Sequence, residues 1–141
     1  MRIPVFAGLV VDEFDRPVTY THVGSEPCYV VDDYGFKRHI PSESVDLAVL
    51  RQMGAMIEGN ESLLAKMAAK QLGQDDIFSQ ALIETQLRNI EQHFQTVLQN
   101  GLPEEQRAYL GMMGFKVRIN VHGELLEVEQ PGMIASDDGD D

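Results

Sequence analysis

The chain has 141 residues, of which 43% are hydrophobic, and its 11 Lys and Arg against 23 Asp and Glu give a formal net charge of −12. This length and composition are typical of one domain with a hydrophobic core, which excludes collagenous, wholly disordered and disulfide-scaffold proteins. We expect no nucleic-acid partner and no membrane partner, because surfaces that bind nucleic acid or anionic lipid need an excess of Lys and Arg.

Four short β-strands are predicted in residues 1–41. The segments are rich in Val, Tyr, Thr and Phe, and turn-forming Asp, Pro and Gly residues separate them. The predicted strands cover residues 5–11, 18–23, 28–31 and 36–40. We expect them to form an antiparallel meander or half-barrel.

In residues 42–114 the apolar residues recur at the three- and four-residue spacing of a helix, and we expect three to four helices there. Ser42 is a predicted N-cap and Gly59 a predicted helix end. Asn60 and Gly73 delimit a second helix in the same way, and a short last helix starts at Pro103.

One long helix is predicted over residues 76–99, with Asp75 as its cap. Its length would be about 36 Å, and Glu84 and Arg88 are placed to pair across one turn. Apolar residues recur at spacings of four and three and form one stripe, which consists of Ile83, Leu87, Ile90, Phe94 and Val97.

A β-hairpin is predicted over residues 115–130, because apolar and charged residues alternate on both sides of His122 and Gly123. One register places the apolar pairs on one face and the opposite charges on the other. The expected pairs are Ile119 with Leu126, Val117 with Val128, Arg118 with Glu127 and Lys116 with Glu129.

The sequence thus predicts a single α+β domain over residues 1–132, with an N-terminal β-meander or half-barrel, a central helical segment and a C-terminal hairpin that could join the first sheet. Residues 133–141 carry four Asp and little to bury, so we expect a disordered acidic tail.

No nucleotide-binding, zinc or hydrolase motif is present in the sequence, so we expect no cofactor and assign no catalytic residue. The best candidate for chemistry is a metal site of His22, Cys28 and His39. A four-residue turn at residues 32–35 would place Cys28 opposite His39, with His22 on the neighbouring strand. Thiolate and imidazole suit a soft divalent metal. The alternative is that Cys28 is a small buried apolar side chain.

We expect a cytoplasmic protein. The one cysteine permits no intramolecular disulfide, which is typical of a reducing compartment. The apolar run that ends at Val11 is interrupted by Pro4 and Gly8, and it is too short to cross a bilayer. It also lacks the pattern of a signal peptide.

Three groups of residues near the N-terminus together form a pattern of hairpin-forming residues. They are Gly8-Leu9-Val10-Val11-Asp12, Arg16-Pro17-Val18, and His39-Ile40-Pro41 followed by Val45-Asp46. With this pattern, residues 1–46 resemble a PRC-barrel domain, a small SH3-like barrel. Thr19 and Tyr20 stand where that family usually has a Gly. The resemblance implies an adaptor or ribosome-assembly module and carries over no catalytic residue.

The long apolar stripe and the lack of catalytic motifs predict a non-enzymatic protein–protein interaction or assembly module that homodimerises through the long helix. The alternative is a small-ligand or metal-binding protein, with an enzyme as one form of it, that uses Asp32 beside His22, Cys28 and His39. A third hypothesis is an acidic surface that docks a basic protein.

Overall fold

The computed structural model describes residues 2–74 and 76–129, and the predicted α+β class is confirmed. The β-strands in chain order are β1 (Val10–Val11), β2 (Thr19–Val23), β3 (Glu26–Asp33), β4 (Phe36–Pro41), β5 (Lys116–Ile119) and β6 (Leu125–Glu129). The helices are α1 (Ser42–Ile57), α2 (Glu61–Gln71), α3 (Ile77–Arg88), α4 (Ile90–Asn100) and α5 (Glu104–Met112).

The chain forms two compact units, a β-sheet unit and a helical unit. The β-sheet unit is built from the two outer segments, up to Val49 and from Val97 onward. The helical unit is the segment Leu50–Thr96. The predicted acidic tail at residues 133–141 lies outside the described residues.

The β-sheet unit contains an antiparallel meander of three strands in the order β2-β3-β4. The first of the four predicted strands, over residues 5–11, is wrong for most of its length. Successive turns form there, with Ala7 N donating to Pro4 O and Leu9 N to Phe6 O. Pro4 fixes its own φ and Gly8 adopts a φ of 85°, so the Val-rich segment cannot extend before residue 10.

The second sheet has the order β1-β5-β6. The C-terminal hairpin therefore joins β1, which runs parallel to β5, and is not paired with the meander. The predicted register is confirmed for three pairs that include Val117 with Val128 and Arg118 with Glu127. The fourth pair is wrong, because Ile119 lies opposite Leu125 after a bulge.

The turn of this hairpin explains the bulge. Asn120 Oδ1 accepts hydrogen bonds from the backbone N–H groups of His122 and Glu124, both at 2.9 Å. This side chain closes a five-residue loop in place of the predicted two-residue turn, and the strand register shifts by one residue.

The core of the β-sheet unit combines residues of both sheets and of the first half of α1. Its fully buried side chains include Tyr29, Val31, Val45, Val117 and Ile119. Phe6 and Phe115 stack with their ring centroids 5.7 Å apart. The predicted apolar positions Val117 and Ile119 of the hairpin thus face inward, whereas Leu126, which the bulge displaces from its predicted partner Ile119, is 49% exposed.

The helical unit consists of the second half of α1, helices α2 and α3, and the first half of α4. Helices α2 and α3 pack against each other. Gly59 and Gly73, the predicted helix ends, follow α1 and α2 with φ angles of 84° and 72°. The predicted cap Asp75 lies outside the described residues, and Asp76 caps α3 by accepting a hydrogen bond from Ser79 N at 2.7 Å.

The prediction of one helix over residues 76–99 is wrong, because the helix is interrupted at Asn89, between α3 and α4. Asn89 has a φ of −102° and a ψ of 18°, and its side-chain Nδ2 donates to Thr85 O at 3.0 Å. Asn side chains compete for backbone partners in this way, which favours helix ends. In the described part of the chain, no helix is both long and apolar enough to span a membrane.

Candidate functional site

The three predicted metal ligands are not brought together. The turn between β3 and β4 has two central residues, Tyr34 and Gly35, where four were predicted. The pairing that follows places Cys28 opposite Pro41 and His39 opposite Val30. The predicted Cys28–His39 pair is therefore wrong, although both residues lie on the same face of the meander.

His22 lies on the other face of the meander, because it pairs with Pro27, the neighbour of Cys28. Its Nε2 is 2.6 Å from the carbonyl oxygen of Arg2. Among residues 2–74 and 76–129, no group of three His, Cys, Asp or Glu side chains could hold a metal ion.

Cys28 is buried, as in the apolar alternative, and its Sγ lies 3.8 Å from Glu26 O. Burial, and then the negative charge of Glu26, raise the pKa of the Cys28 thiol. Both effects disfavour the thiolate, which is the form that binds a metal. The small-ligand or metal-binding alternative stays a prediction without a structural argument behind it.

Among the described residues, the carboxyl group with the largest shift in pKa is that of Asp46 on α1. No role was predicted for it from the sequence. Tyr29 Oη donates to Asp46 Oδ1 at 2.6 Å, and Val5 N donates to Oδ2 at 2.9 Å. Phe6 N in turn donates to Tyr29 Oη at 3.3 Å. The carboxylate thus connects α1 to β3 and to the turns of residues 5 and 6.

Burial raises the pKa of Asp46 from 3.8 to about 6, although the hydrogen bonds from Tyr29 and Val5 limit the rise. Burial, and then the charge of Asp46, raise the pKa of Tyr29 well above its usual value. A signal for this site exists in the sequence, because Asp46 shares the apolar face of α1 with Val45 and Val49.

A cavity of about 30 Å³ lies beside Asp46 and is also lined by Arg2 and Ser42. Such a volume holds a water molecule and no organic substrate. Both carboxylate oxygens already accept hydrogen bonds within the protein. The Asp46–Tyr29 pair is therefore best explained as a structural connection in the core.

The predicted interface stripe is partly covered. Ile83, Leu87 and Ile90 are half-buried, and Val97 is buried. Phe94 is half-buried beside Gly54 of α1, where a Cβ at the glycine would lie 3.5 Å from the ring. The Glu84–Arg88 ion pair predicted on this helix is confirmed.

A second apolar group occupies the opposite face of α3, which the sequence analysis missed. Ile77, Phe78 and Leu82 are exposed, with Phe78 at 84% and Leu82 at 63%. At 100° per residue they lie on the arc of α3 that excludes Ile83 and Leu87. We define these three residues as the outer face of the helical unit. The four-residue spacing of Phe78 and Leu82 is the signal that could have found it.

Charge differs strongly between the two units. The segment Leu50–Thr96 carries four Lys and Arg against six Asp and Glu, whereas the rest of the chain carries seven against seventeen. The outer face therefore belongs to the nearly neutral part of the chain, where self-repulsion is weakest.

Comparison with known proteins yields no matching family model, no matching curated protein and no matching solved structure. The PRC-barrel resemblance of residues 1–46 therefore stays a prediction.

Proposed function

We propose that this protein is a non-enzymatic interaction and assembly module, and that it homodimerises through its helical unit. The observation that carries the proposal is the outer face, where Ile77, Phe78 and Leu82 are all exposed large apolar residues. Helix α3 has apolar side chains on two faces but no fully buried residue. A helix of this kind is typical of a contact surface.

A second copy of the chain is the occupant that fits this surface best. Two-fold contacts are the commonest way to cover such a face, since the same patch serves both subunits. Stable interfaces bury roughly 800 Å² per partner. They are built around a centre of large apolar or aromatic side chains, and Phe78 and its neighbours provide such a centre. The near-neutral charge of this segment also favours contact between copies of an otherwise strongly acidic chain.

The test is sedimentation equilibrium of the full chain and of two matched variants. Leu82→Glu places a charge in the proposed contact and is expected to weaken self-association by at least about 30-fold. Val23→Glu introduces the same charge at an exposed position of β2 in the β-sheet unit, and it should leave self-association unchanged.

Leu82 is exposed, so the fold of the Leu82→Glu variant is expected to persist, with an unchanged circular dichroism spectrum. A wild-type chain that stays monomeric at all concentrations contradicts the proposal. Equal dimerisation of the wild type and of Leu82→Glu also contradicts it.

A further inference from the structure

Two turns of the β-sheet unit meet through one arginine. Arg16 Nε lies 2.8 Å from Asp12 Oδ2 within the first turn. The same guanidinium reaches across to the second turn, with Nη1 at 3.4 Å from Asp32 Oδ2 and Nη2 at 3.3 Å from Asp32 O. The tips of both turns are thereby held side by side.

Three exposed aromatic side chains lie at these tips, namely Phe14, Tyr34 and Phe36, and we call them the aromatic tip. Arg16 lies over the ring of Phe14 at 5.1 Å from its centroid, and Arg38 over the ring of Phe36 at 5.4 Å. These contacts hold two of the rings in place on the surface. Tyr34 is 95% exposed.

Tyr34 is the residue least suited to folding at its position. Its φ is 53° and that of Gly35 is 91°, so both central residues of the turn adopt the left-handed region. Asn or Gly fits such a position without strain, whereas an aromatic side chain does not. A strained and almost fully exposed tyrosine is better explained by binding than by stability.

The charges around the tip favour a cationic partner. Asp12, Asp32 and Asp33 already hold the two arginines, with Asp33 Oδ2 at 2.7 Å from Arg38 Nε. Asp15 is paired with Lys116 and Arg118 of β5, and Arg118 also contacts two carboxylates of β6. With these side chains included, the tip and its charged neighbours carry seven carboxylates against five cations: Asp12, Glu13, Asp15, Asp32, Asp33, Glu127 and Glu129 against Arg16, Lys37, Arg38, Lys116 and Arg118. The outer segments of the chain are strongly acidic as well.

We propose that the aromatic tip binds an arginine- and lysine-rich segment of another protein. A cationic side chain of the partner stacks on the ring of Tyr34, and carboxylates such as Glu13 pair with its neighbours. Exposed aromatic rings beside fixed charges have the composition of interface hot spots. This binding is separate from the proposed dimer contact, which involves no residue of the tip.

The test uses fluorescence anisotropy with a labelled peptide of alternating arginine and glycine. The matched control peptide replaces each arginine by citrulline, which keeps the shape and removes the charge. We expect the full chain to bind the arginine peptide and not the citrulline peptide, with an affinity that falls as salt is added. Equal binding of both peptides, or no binding of the arginine peptide, overturns the proposal.

The decisive variant is Tyr34→Asn, because Asn accepts the positive φ and the fold is kept. We expect about tenfold weaker peptide binding together with an equal or higher melting temperature. Tyr109→Ala, at an exposed tyrosine of α5, is the matched control and should bind as the wild type does. Unchanged binding by Tyr34→Asn overturns the proposal.

The monomer–dimer equilibrium distinguishes this inference from the proposed function. Tyr34→Asn should leave sedimentation equilibrium unchanged, while Leu82→Glu should leave the affinity of each chain for the peptide unchanged. Loss of dimers in Tyr34→Asn would assign the tip to a second copy of this chain and overturn the basic partner.

Discussion

The two units of this protein differ in how completely they bury their own apolar residues. In the β-sheet unit the core includes Tyr29, Val31, Val117 and Ile119, all fully buried. In the helical unit the buried residues are Leu50, which keeps 4% of its surface exposed, and two fully buried alanines, Ala65 and Ala69, within the described part of the chain. The β-sheet unit therefore buries large side chains in its core, whereas Ile77, Phe78 and Leu82 of the helical unit remain exposed and available for contacts.

The sharpest test of this difference is a pair of truncations. Ile119→Ala removes a fully buried side chain and should cost about 2–5 kcal/mol in the free energy of unfolding. Leu82→Ala removes an exposed one and should change stability by less than about 0.5 kcal/mol. Urea denaturation of dilute protein measures both values. Equal losses would show that the helical unit is packed as tightly as the β-sheet unit.

The pH dependence of stability should have opposite signs at two aspartates, one in each unit. Burial raises the pKa of Asp46 to about 6, so its contribution is present below pH 4 and is lost as the pH rises through 6. The loss is about 3 kcal/mol, given the unfolded pKa near 3.9. Hydrogen bonds from Ser79 lower the pKa of Asp76, so its contribution is lost as the pH falls through that lowered value.

Denaturation curves between pH 3 and pH 7 for the wild type, Asp46→Asn and Asp76→Asn separate the two effects. As the pH rises from 3 to 7, the free energy of unfolding of the wild type should fall relative to that of Asp46→Asn. A difference that does not depend on pH would contradict the raised pKa of Asp46.

Two glycines provide a smaller test of packing. A Cβ at Gly123 would lie 2.6 Å from Ile40 Cγ2 on a residue with a φ of 80°, so Gly123→Ala should destabilise by about 2 kcal/mol. At Gly54 inside α1 the nearest atom is 3.5 Å away, and Gly54→Ala should stabilise by about 0.5–1 kcal/mol. Thermal melting of both variants should give shifts of opposite sign.

The hairpin register was predictable for three of its four pairs because one face is apolar and the other pairs opposite charges, so Val117 and Arg118 specify the same alignment. The sheet to which residues 5–11 contribute was not predictable. Strand propensity at Val10 does not determine the strand with which it pairs. In the structure Val10 pairs with Val117. Helix ends were predictable at Gly59 and Gly73, whose conformation is local.

The missed features depend on contacts that local sequence does not specify. The apolar spacing continues through Asn89, so the pattern alone could not show the break between α3 and α4. The Asp46–Tyr29 hydrogen bond joins residues from different elements and follows from the tertiary fold. Phe78 and Leu82 were overlooked because the stripe through Leu87 already accounted for one apolar face of the same helix.

The parallel pairing of β1 with β5 also determines when the β-sheet unit can be completed during synthesis. Val10 leaves the ribosome long before Val117, its partner, has been translated. At typical elongation rates this interval is on the order of ten seconds. Throughout it, the apolar side chains of Val5, Phe6 and Leu9 lack the second sheet, whereas the helices of Leu50–Thr96 form from local contacts. The N-terminal segment is consequently where we expect a chaperone to bind the nascent chain.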